Sequence, residues 1–569
     1  MGEEVPATSD LVTPGDAPTR VPPEDPGAVE APPEDSPRAF VRNTAVMSVG
    51  TALSRLTGFL RLAAMAFALG ITETRLADAY NVANVTPNII YELALGGILT
   101  SVVVPVVVEW LQEHGRDEAW DVVRRLFTFA AVVLTALTAL GILLAPWIVE
   151  VYTSGIEGPD RQAVQDLATF FLRWFMPQIV FYGLGAIASG LLNAHRRFAA
   201  PMFAPIVNNL IVIATFLTFA AMPGAAAGEV ATTSQQLVLA IGTTAGVVGM
   251  TLALWPSVRA TGFRYRWRTG WRHEAVTRIA RLSTWVLAYV AANQLVYLLV
   301  IVLALRDQGA TAAYSAAFIL FQLPHAIFAV SISTALVPAM SGRWADRDVE
   351  GFRRLLSQGL RATAAIVIPA AFGYLVLARP IVRLLLEHGA TEAVSGQLVA
   401  DVLVAFSVGL FPFSAFLLLT RAFYSMQDTR TPALVTAAAV AAHVVANLVF
   451  FFVLDLGVQG LALGHAVHYL VGSLALALLI RRKLHGIDGW RIVDTIARTL
   501  VAGAVTAAVA WLVARWLGET VGISTIAEQV VQVLGAVVAG LAAFVLAATL
   551  LRIEEVAMVR RMLVERWRR

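Results

Sequence analysis

The chain contains no cysteine among its 569 residues. Disulfide bonds, cysteine-ligated zinc, iron–sulfur clusters and thiol nucleophiles are therefore excluded. Charge is also scarce, because Asp, Glu, Lys and Arg make up 14% of the residues, whereas a soluble chain carries about 25%. Hydrophobic residues reach 58%, and the mean hydropathy is +0.71. Too few polar residues remain to cover a soluble body of this size, so the composition indicates a multi-spanning membrane protein.

Motifs for catalysis and nucleotide binding are missing as well. The chain has no Walker loop, no GxSxG and no HExxH. ATP-driven transport within this chain is therefore unsupported, and we expect neither an enzyme nor a cofactor or metal site. The net charge of +3 rests almost wholly on arginine, with one lysine among 42 basic residues, and does not indicate nucleic-acid binding.

Residues 1–42 differ in composition from the rest of the chain. They are rich in proline and acidic residues and nearly free of large apolar side chains. Such a segment cannot bury enough surface to offset its ordering entropy, so we expect a disordered cytoplasmic tail. It lacks the basic start and apolar core of a signal peptide. A second, basic cytoplasmic tail is expected over residues 553–569.

From residue 43 onward, apolar stretches long enough to cross a bilayer follow one another. There are fourteen, at about 43–70, 76–110, 121–151, 161–195, 200–222, 234–257, 274–305, 311–341, 352–387, 395–427, 430–454, 457–484, 490–517 and 525–552. If the N-terminus is cytoplasmic, the cytoplasmic loops and the C-terminus hold 27 arginine or lysine residues and the opposite loops hold 3. Because basic residues concentrate in cytoplasmic loops, this ratio supports the count and places both termini in the cytoplasm.

The chain also repeats itself at a spacing near 230 residues. The Arg-Arg-Leu sequence at 124–126 precedes an apolar run and recurs at 353–355 before a similar run. The ends of the second and eighth spans, at 100–105 and 333–338, also match. Because the repeat unit contains six spans, an even number, its two copies have the same orientation in the membrane.

The repeat predicts an all-α protein with two six-helix lobes in parallel. The N-lobe would cover residues 43–260 and the C-lobe residues 261–486, with a central cavity between them. The last two spans, within residues 487–552, fall outside the repeat and need a separate role.

Two arginines in the first span lie where charge is costly. Arg55 is near mid-depth and Arg61 lies about a turn and a half further out. An arginine at mid-bilayer costs about 2.5–3.5 kcal/mol on insertion scales. Ser54 and other small polar residues surround both, so this face of the helix is predicted to line water. Guanidinium groups bind phosphate oxygens bidentately, and two of them suit a diphosphate.

Two interpretations of these arginines remain open. They line a substrate cavity, or they pair with internal acids and only hold helices together. Glu92 in the second span is the obvious partner, and Asp78 lies nearer the outer end of that span. Glu92 could also neutralise an arginine when no substrate is bound. In the C-lobe, Arg361 and Arg421 are weaker cavity candidates.

The second span combines polar residues with residues that weaken a helix. Asn88 follows Pro87, and Gly97 belongs to a glycine pair. Proline and a glycine pair at membrane depth favour bending, so Pro87 and Gly97 are candidates for gating as the lobes move. Close packing of small residues between helices is the alternative.

Three histidines lie in the eleventh and twelfth spans. His443 is one turn from Asn447, and His465 and His468 lie on the following span. They could cluster along an ion or proton path. The alternative is that each is a hydrogen-bonded packing residue.

Arginines alternate with aromatic residues over 263–272. This pattern predicts an interfacial helix on the anionic cytoplasmic leaflet, at a hinge between the lobes.

Several of these motifs resemble those of the MurJ (MviN) lipid II flippases, which belong to the multidrug/oligosaccharidyl-lipid/polysaccharide exporter superfamily. The sequence Ser-Arg-Leu-Thr-Gly-Phe-Leu-Arg at 54–61 matches the SR-x-x-GF-x-R signature of the family. Further matches are Asp78-Ala-Tyr, Pro87-Asn88, Gly97, the Val104-Pro105 end of the second span, and the segments 192–205 and 424–432. The resemblance extends over residues 43–552.

The resemblance implies a flippase that moves the undecaprenyl-diphosphate-linked peptidoglycan precursor, lipid II, across the bacterial cytoplasmic membrane by alternating access. Arg55 and Arg61 match family arginines that line the cavity and would hold the diphosphate. Ser54, Asn88 and Arg421 are further candidates for substrate binding. The last two spans would form a groove for the lipid tail.

The chain departs from the family pattern at three places. It has Tyr91-Glu92 where many members have a basic residue, Phe318-Ile319 where they have an acid–arginine pair, and no acid near Asn293 where some have one associated with sodium. Sodium coupling is therefore not carried over. The rival functions are a flippase for another polyprenyl-diphosphate-linked glycan, a cation or drug antiporter, and a scaffold that recruits cell-wall synthesis proteins through its N-terminal tail.

Overall fold

The computed structural model describes residues 37–71, 75–92, 116–158, 160–195, 197–224, 231–270, 274, 277 and 294–555. These residues form helices joined by short turns, without a β-strand among them. The helices are α1 (Pro37–Leu69), α2 (Leu76–Glu92), α3 (Arg116–Tyr152), α4 (Asp160–Phe175), α5 (Gln178–Ala194), α6 (Ala199–Ala220), α7 (Thr233–Arg259), α8 (Gln294–Ala304), α9 (Ala310–Pro324), α10 (Val330–Ala345), α11 (Val349–Leu386), α12 (Ala393–Ser407), α13 (Leu410–Ser425), α14 (Arg430–Leu448), α15 (Gly457–Lys483), α16 (Gly489–Thr520) and α17 (Ile526–Leu550). Two π-helical turns, His325–Ala329 and Val449–Val453, continue α9 and α14.

The described helices confirm an all-α, multi-pass membrane protein. Ten continuous helical segments are long and apolar enough to cross a membrane, and the pair α12 and α13, bent by 47°, brings the number to eleven if it forms one span. The other three predicted spans correspond to α1, α2 and α8. The total of fourteen stays a prediction.

Some predicted features lie outside the described residues. These are the tail before residue 37, Gly97 with its glycine pair, the residues after 555, and the side chain of Glu92. α1 begins at Pro37, earlier than the predicted start at residue 43. A proline suits the first turn of a helix because its missing N–H would be unpaired there in any case.

The helices pack in two groups. In the first, α1 packs on α6, α2 on α4, α3 on α5, and α7 on α5 and α6. In the second, α9 packs on α12, α10 on α11, α13 on α15, and α14 on α15. α16 packs on α11 and on α17, beside the second group. We call the first group (α1–α7) the N-lobe and the second (α9–α15) the C-lobe.

The basic segment at 263–270 has no helical structure, so the prediction of an interfacial helix there was wrong. It lies against α3, where Arg124 Nε donates to the carbonyl of Arg264 at 3.0 Å. Phe263 is buried against Trp120, with ring centroids 5.4 Å apart. Alternation of two residue types has a period of two, which does not match the 3.6-residue period of a helix.

Asp428 stabilises the turn between α13 and α14. Its carboxylate accepts the Thr431 N–H at 3.0 Å and lies 2.6 Å from Lys483 Nζ on α15. The Lys483 ammonium and the Thr431 N–H lower the pKa of Asp428 from its ordinary 3.8 to about 2. These contacts stabilise the ionised carboxylate in the folded state.

We expect Asp428→Ala to lower the free energy of unfolding by about 1 kcal/mol, the usual cost of losing a side-chain cap. The measurement is thermal unfolding in detergent at neutral pH. Because the pKa of Asp428 is depressed on folding, the charge-dependent part of its stabilisation is complete well above pH 3.8 and is lost as the pH falls towards 2. The difference between native protein and Asp428→Asn should therefore shrink over that range; a constant difference would contradict the argument.

Candidate functional site

A central cavity of about 560 Å³ lies between the N-lobe and α9 of the C-lobe. Arg55 and Arg61 of α1 belong to its wall, which α5, α6 and α7 continue. On the opposite side the wall is formed by Ile319, Gln322 and Leu323 of α9. A smaller chamber of about 110 Å³ adjoins the cavity and has polar residues of α2 in its wall: Tyr80, Asn81, Asn84 and Asn88. Arg61 borders both spaces.

The polar face of α1 is held towards the cavity by α6. Asn209 Nδ2 on α6 donates to Thr57 Oγ1 at 3.0 Å and to the Ser54 carbonyl at 3.3 Å. With α1 fixed in this rotation, Ser54, Arg55 and Arg61 reach the cavity wall. Residues three, four and seven apart share one helix face. The residues of the SR-x-x-GF-x-R signature that line the cavity include pairs separated by these numbers of residues.

The two arginines carry positive charge into the cavity without a matching carboxylate. Arg55 Nη1 donates to Gln322 Oε1 of α9 at 3.4 Å, across the cavity. Among the side chains that the structure describes, neither Arg55 nor Arg61 forms an ion pair with an acid. Arg55 is exposed and Arg61 is half-buried. Two guanidinium groups in one cavity wall have the chemistry that binds an anion with several oxygens.

Asp78 pairs elsewhere, so it is not the partner of either arginine. Its side chain is fully buried, and its Oδ2 accepts the Gly309 N–H at 2.8 Å and lies 3.4 Å from Arg75 Nη1. Gly309, with φ 76°, immediately precedes α9 in a left-handed conformation that suits glycine. Asp78 therefore joins the N-lobe to the C-lobe.

Two more contacts join the lobes at the same end of the bundle. Thr391 Oγ1 donates to the Ala66 carbonyl at 2.7 Å, and the Ala390 N–H donates to the Phe67 carbonyl at 2.9 Å. We call these contacts, together with Asp78–Gly309, the outer gate, because α1 ends there on the predicted outer side. Arg55 lies about 20 Å back along α1. In the predicted orientation, the cavity therefore lies on the cytoplasmic side of the closed outer gate.

The other predicted substrate-binding residues are divided between two places. Asn88 lines the smaller chamber and accepts a hydrogen bond from the Tyr182 hydroxyl at 3.5 Å. Arg421 is not among the residues that line the described cavities; its Nη1 donates to Thr334 Oγ1 on α10 at 3.2 Å. α2 runs through Pro87 without a break.

Arg361 serves to tie helices together. It forms ion pairs with Glu555 at 2.6 Å and Glu554 at 3.1 Å, which links α11 to the residues after α17. It therefore does not face the cavity.

An apolar groove of about 520 Å³ lies between α11 and the last two helices. Its wall contains Pro324 and Phe328, Pro369, Gly373 and Tyr374 of α11, Thr506 and Ala510 of α16, and Gly540, Leu541 and Phe544 of α17. Pro324 and Phe328 border the groove while Gln322 and Leu323 border the cavity. The end of α9 and the π turn after it therefore separate the two spaces.

The three predicted histidines lie together in the C-lobe. The ring of His443 is 5.4 Å from that of His468 and 5.9 Å from that of His465, and Asn447 is fully buried one turn away. Among the described residues, no group of three His, Asp or Glu side chains is placed to hold a metal ion.

The sequence analysis did not single out two polar residues near Arg55. Gln322 faces Arg55, and His325 stacks on Phe413 at 3.9 Å with its Nδ1 3.0 Å from Ser414 Oγ. Both are polar residues inside an apolar span, which was the available signal. Because both residues are far from the SR-x-x-GF-x-R signature in the chain, the sequence did not show that they lie near Arg55.

The family model and the related proteins that match this sequence all name the same family. A family model described as "Lipid II flippase MurJ" matches residues 65–531. The lipid II flippase MurJ of Burkholderia cenocepacia is 30% identical over 440 residues, which cover 76% of this chain and 82% of the relative. The probable lipid II flippase MurJ of Rhizobium meliloti is 30% identical over 485 residues, covering 84% and 88%.

Solved structures share the fold. A lipid II flippase MurJ in an inward closed conformation has a TM-score of 0.71 at 19% identity and covers 89% of this chain and 98% of its own. An inward-facing MATE family multidrug transporter of the MOP superfamily has a TM-score of 0.62 at 14% identity, with 77% and 99% covered. At these identities the likeness concerns the fold alone.

Proposed function

Because the chain belongs to the MurJ family of lipid II flippases, we propose that it moves lipid II from the inner to the outer leaflet of the bacterial cytoplasmic membrane. The substrate is a peptidoglycan precursor carried on undecaprenyl diphosphate. Both termini would lie in the cytoplasm, as the distribution of basic residues in the loops predicts. The protein acts as a transporter, and no chemical step is assigned to it.

The observation that carries this proposal is the division of the site into two unlike spaces. The central cavity offers Arg55 and Arg61 to an anion, and the groove along α16 and α17 is apolar. A substrate with a diphosphate and a long isoprenoid chain has two parts of opposite solvation. The cavity would hold the headgroup in water, and the groove would keep the tail in an apolar environment throughout.

Alternating access would use the outer gate. With the gate closed, the headgroup enters the cavity from the cytoplasmic side and neutralises the arginines. Opening then requires the bonds of Asp78, Ala66 and Phe67 to the C-lobe to break. A substrate favours this opening only as far as it binds the outward-open state more tightly. The two lobes, at 43–260 and 261–486, would move relative to each other as rigid units. Residues 487–552 would move with the C-lobe, because α16 packs on α11.

A second candidate is a flippase for another polyprenyl-diphosphate-linked glycan. The Phe318-Ile319 pair stands where the family pattern has an acid–arginine pair, and Ile319 lies in the cavity wall. The cavity wall therefore lacks charges that the family pattern has there, which favours a different headgroup. A cation or drug antiporter is disfavoured, because the described cavity wall carries two arginines and no acid.

Complementation tests the proposal. The chain is expressed in cells depleted of their own lipid II flippase, and we expect growth to be rescued. Failure despite good membrane expression would favour the other glycan. A chain that lacks residues 1–36 should also rescue; if it does not, the scaffold function with cell-wall synthesis proteins as partners gains support.

The groove can be tested by filling it. A Cβ added at Gly373 meets no atom within 4 Å, so Gly373→Phe would place a ring in the groove without a clash at its root. Displacing about three methylenes of a bound tail costs about 2 kcal/mol, so we expect lipid translocation to fall more than about tenfold.

The matched control is Leu375→Phe, on the same helix but exposed and outside the groove wall. It should translocate normally. Equal activity of the two variants would show that the tail does not occupy this groove.

A further inference from the structure

The histidine cluster, which consists of His443 on α14 and His465 and His468 on α15, has no role in the transport cycle described above. His443 and His468 are each 6% exposed. The rings of His443 and His468 are 5.4 Å apart, and those of His443 and His465 are 5.9 Å apart. Three titratable side chains so close together within an apolar lobe need a physical explanation.

The cluster contains buried polar atoms that no protein group satisfies. Neither the oxygen nor the nitrogen of the Asn447 amide, which is fully buried, has a hydrogen-bond partner among the described residues. The same holds for one ring nitrogen of each histidine: Nε2 of His443, Nε2 of His465 and Nδ1 of His468. Buried polar groups are nearly always paired, so this set of atoms points to a small ligand.

A proton is the ligand that fits the ring nitrogens, because a protonated imidazole nitrogen can donate to the unpaired Asn447 Oδ1 or to a neutral imidazole nitrogen. Hard cations prefer several oxygen ligands, whereas the cluster offers imidazole nitrogens and one amide. The described part of the chain holds no metal-binding group of three such residues. Imidazole accepts a proton near neutral pH. The rings of Phe318, Phe406 and Tyr469 surround His465 edge-to-face, with centroids 5.3, 5.4 and 4.8 Å away.

The cluster is mechanically close to the outer gate. Asn447 lies two residues before the π turn Val449–Val453 that ends α14. Phe451 and Phe452 of that turn hold the guanidinium of Arg306, 5.9 and 5.1 Å from their ring centroids. Arg306 is in the short loop that ends at Gly309, whose N–H is bound by Asp78. A conformational change at the π turn would therefore move Arg306, and with it the short loop whose Gly309 N–H is bound by Asp78.

We propose that the histidine cluster is a proton-binding site and that its protonation favours opening of the outer gate. A charged imidazolium without a carboxylate is costly in the buried, gate-closed state. Protonation therefore stabilises the state in which the cluster meets water. The inference rests on the proposed alternating access but not on the identity of the lipid.

Other titratable groups surround the cluster and must be separated from it. They are Tyr314 on α9, His325 on the first π turn, Tyr469 on α15 and Arg306 in the loop before α9. α12 and α13 present the rings of Phe406, Phe413 and Phe416. Arg55 and Arg421 act electrostatically on His325. Asp78 at the gate also titrates.

The test is a distance measurement across the gate. Because the chain has no cysteine, Glu157→Cys in the N-lobe and Val394→Cys in the C-lobe give one unique, exposed pair for spin labels. In lipid nanodiscs without substrate, we expect the gate-open population to rise as the pH falls from 8 to 5. Each proton bound only in the open state changes the open-to-closed ratio by up to about tenfold per pH unit.

The decisive comparison is with His443→Gln, His465→Gln and His468→Gln, singly and combined. We expect the pH response to weaken in each single variant and to be lost in the combined one. His485→Gln, in the exposed turn after α15, should respond as the native chain does. Asp78→Asn removes the titration of the gate carboxylate itself, and the histidine effect should persist in that background.

Two results would overturn the proposal: a native chain whose gate does not respond to pH, or histidine variants whose gate responds as the native chain does. If the combined variant does not fold, the single variants decide the question. A shift caused by sodium at constant pH would instead identify a metal cation as the ligand. The readout needs no lipid II, so it is independent of the complementation result.

Discussion

Arg61→Ala is expected to abolish complementation while the protein stays folded in the membrane. Arg61 borders both the central cavity and the smaller chamber, so it is within reach of the diphosphate wherever the headgroup rests. Losing two charge-assisted hydrogen bonds, at about 1.5–3 kcal/mol each, reduces binding about a hundredfold or more. Since no described carboxylate pairs with Arg61, its removal leaves no uncompensated charge behind.

The measurement is rescue of flippase-depleted cells, with membrane expression quantified in parallel. Arg55→Ala should fail in the same way, and Arg61→Lys should retain partial function because it keeps the charge but not the bidentate geometry. Arg515→Ala is the matched control, since Arg515 is an exposed arginine paired with Glu519 on its own helix. If Arg61→Ala is absent from the membrane, the arginines are structural; if it rescues well, the headgroup binds elsewhere.

Asp78→Ala is expected to abolish transport for a different reason, by destroying the closed state of the outer gate. The fully buried carboxylate holds both the Gly309 N–H and Arg75. Of these two contacts only the bond to Gly309 crosses the gate, and leaving its buried N–H without an acceptor costs about 1–3 kcal/mol. That is enough to invert a gate equilibrium of similar size, so the lobes would separate at the outer side without substrate.

Spin labels on the Glu157→Cys and Val394→Cys pair report the outcome directly, and complementation reports its functional consequence. Asp78→Asn should be milder, because its amide oxygen still accepts the Gly309 N–H. Asp401→Ala serves as control, since this half-buried carboxylate accepts a hydrogen bond from Gln397 on its own helix and, among the described residues, makes no contact across the gate. A closed gate in Asp78→Ala would mean that the backbone contacts of Ala66 and Phe67 suffice by themselves.

The fold class could be predicted because each of its signals is local. Apolar runs, loop charge and the SR-x-x-GF-x-R signature are read within about 30 residues, and they predicted an all-α membrane protein of the MurJ family. The family and the fold class are confirmed. One local interpretation failed: the alternating segment at 263–270 was predicted to be a helix and is not helical, because its period of two does not match a helix.

The sequence by itself also determined that Arg55 and Arg61 lie on one helix among small polar residues, with Arg61 about a turn and a half beyond Arg55. It could not decide which acid meets which base. Asp78 binds Gly309, a residue 231 positions away, and Arg361 binds Glu555 beyond the last helix. Such pairings depend on how distant helices rotate and pack. In a membrane, lipid and protein neighbours are equally apolar, so the hydrophobic pattern does not reveal which faces touch; only the tertiary structure decided that.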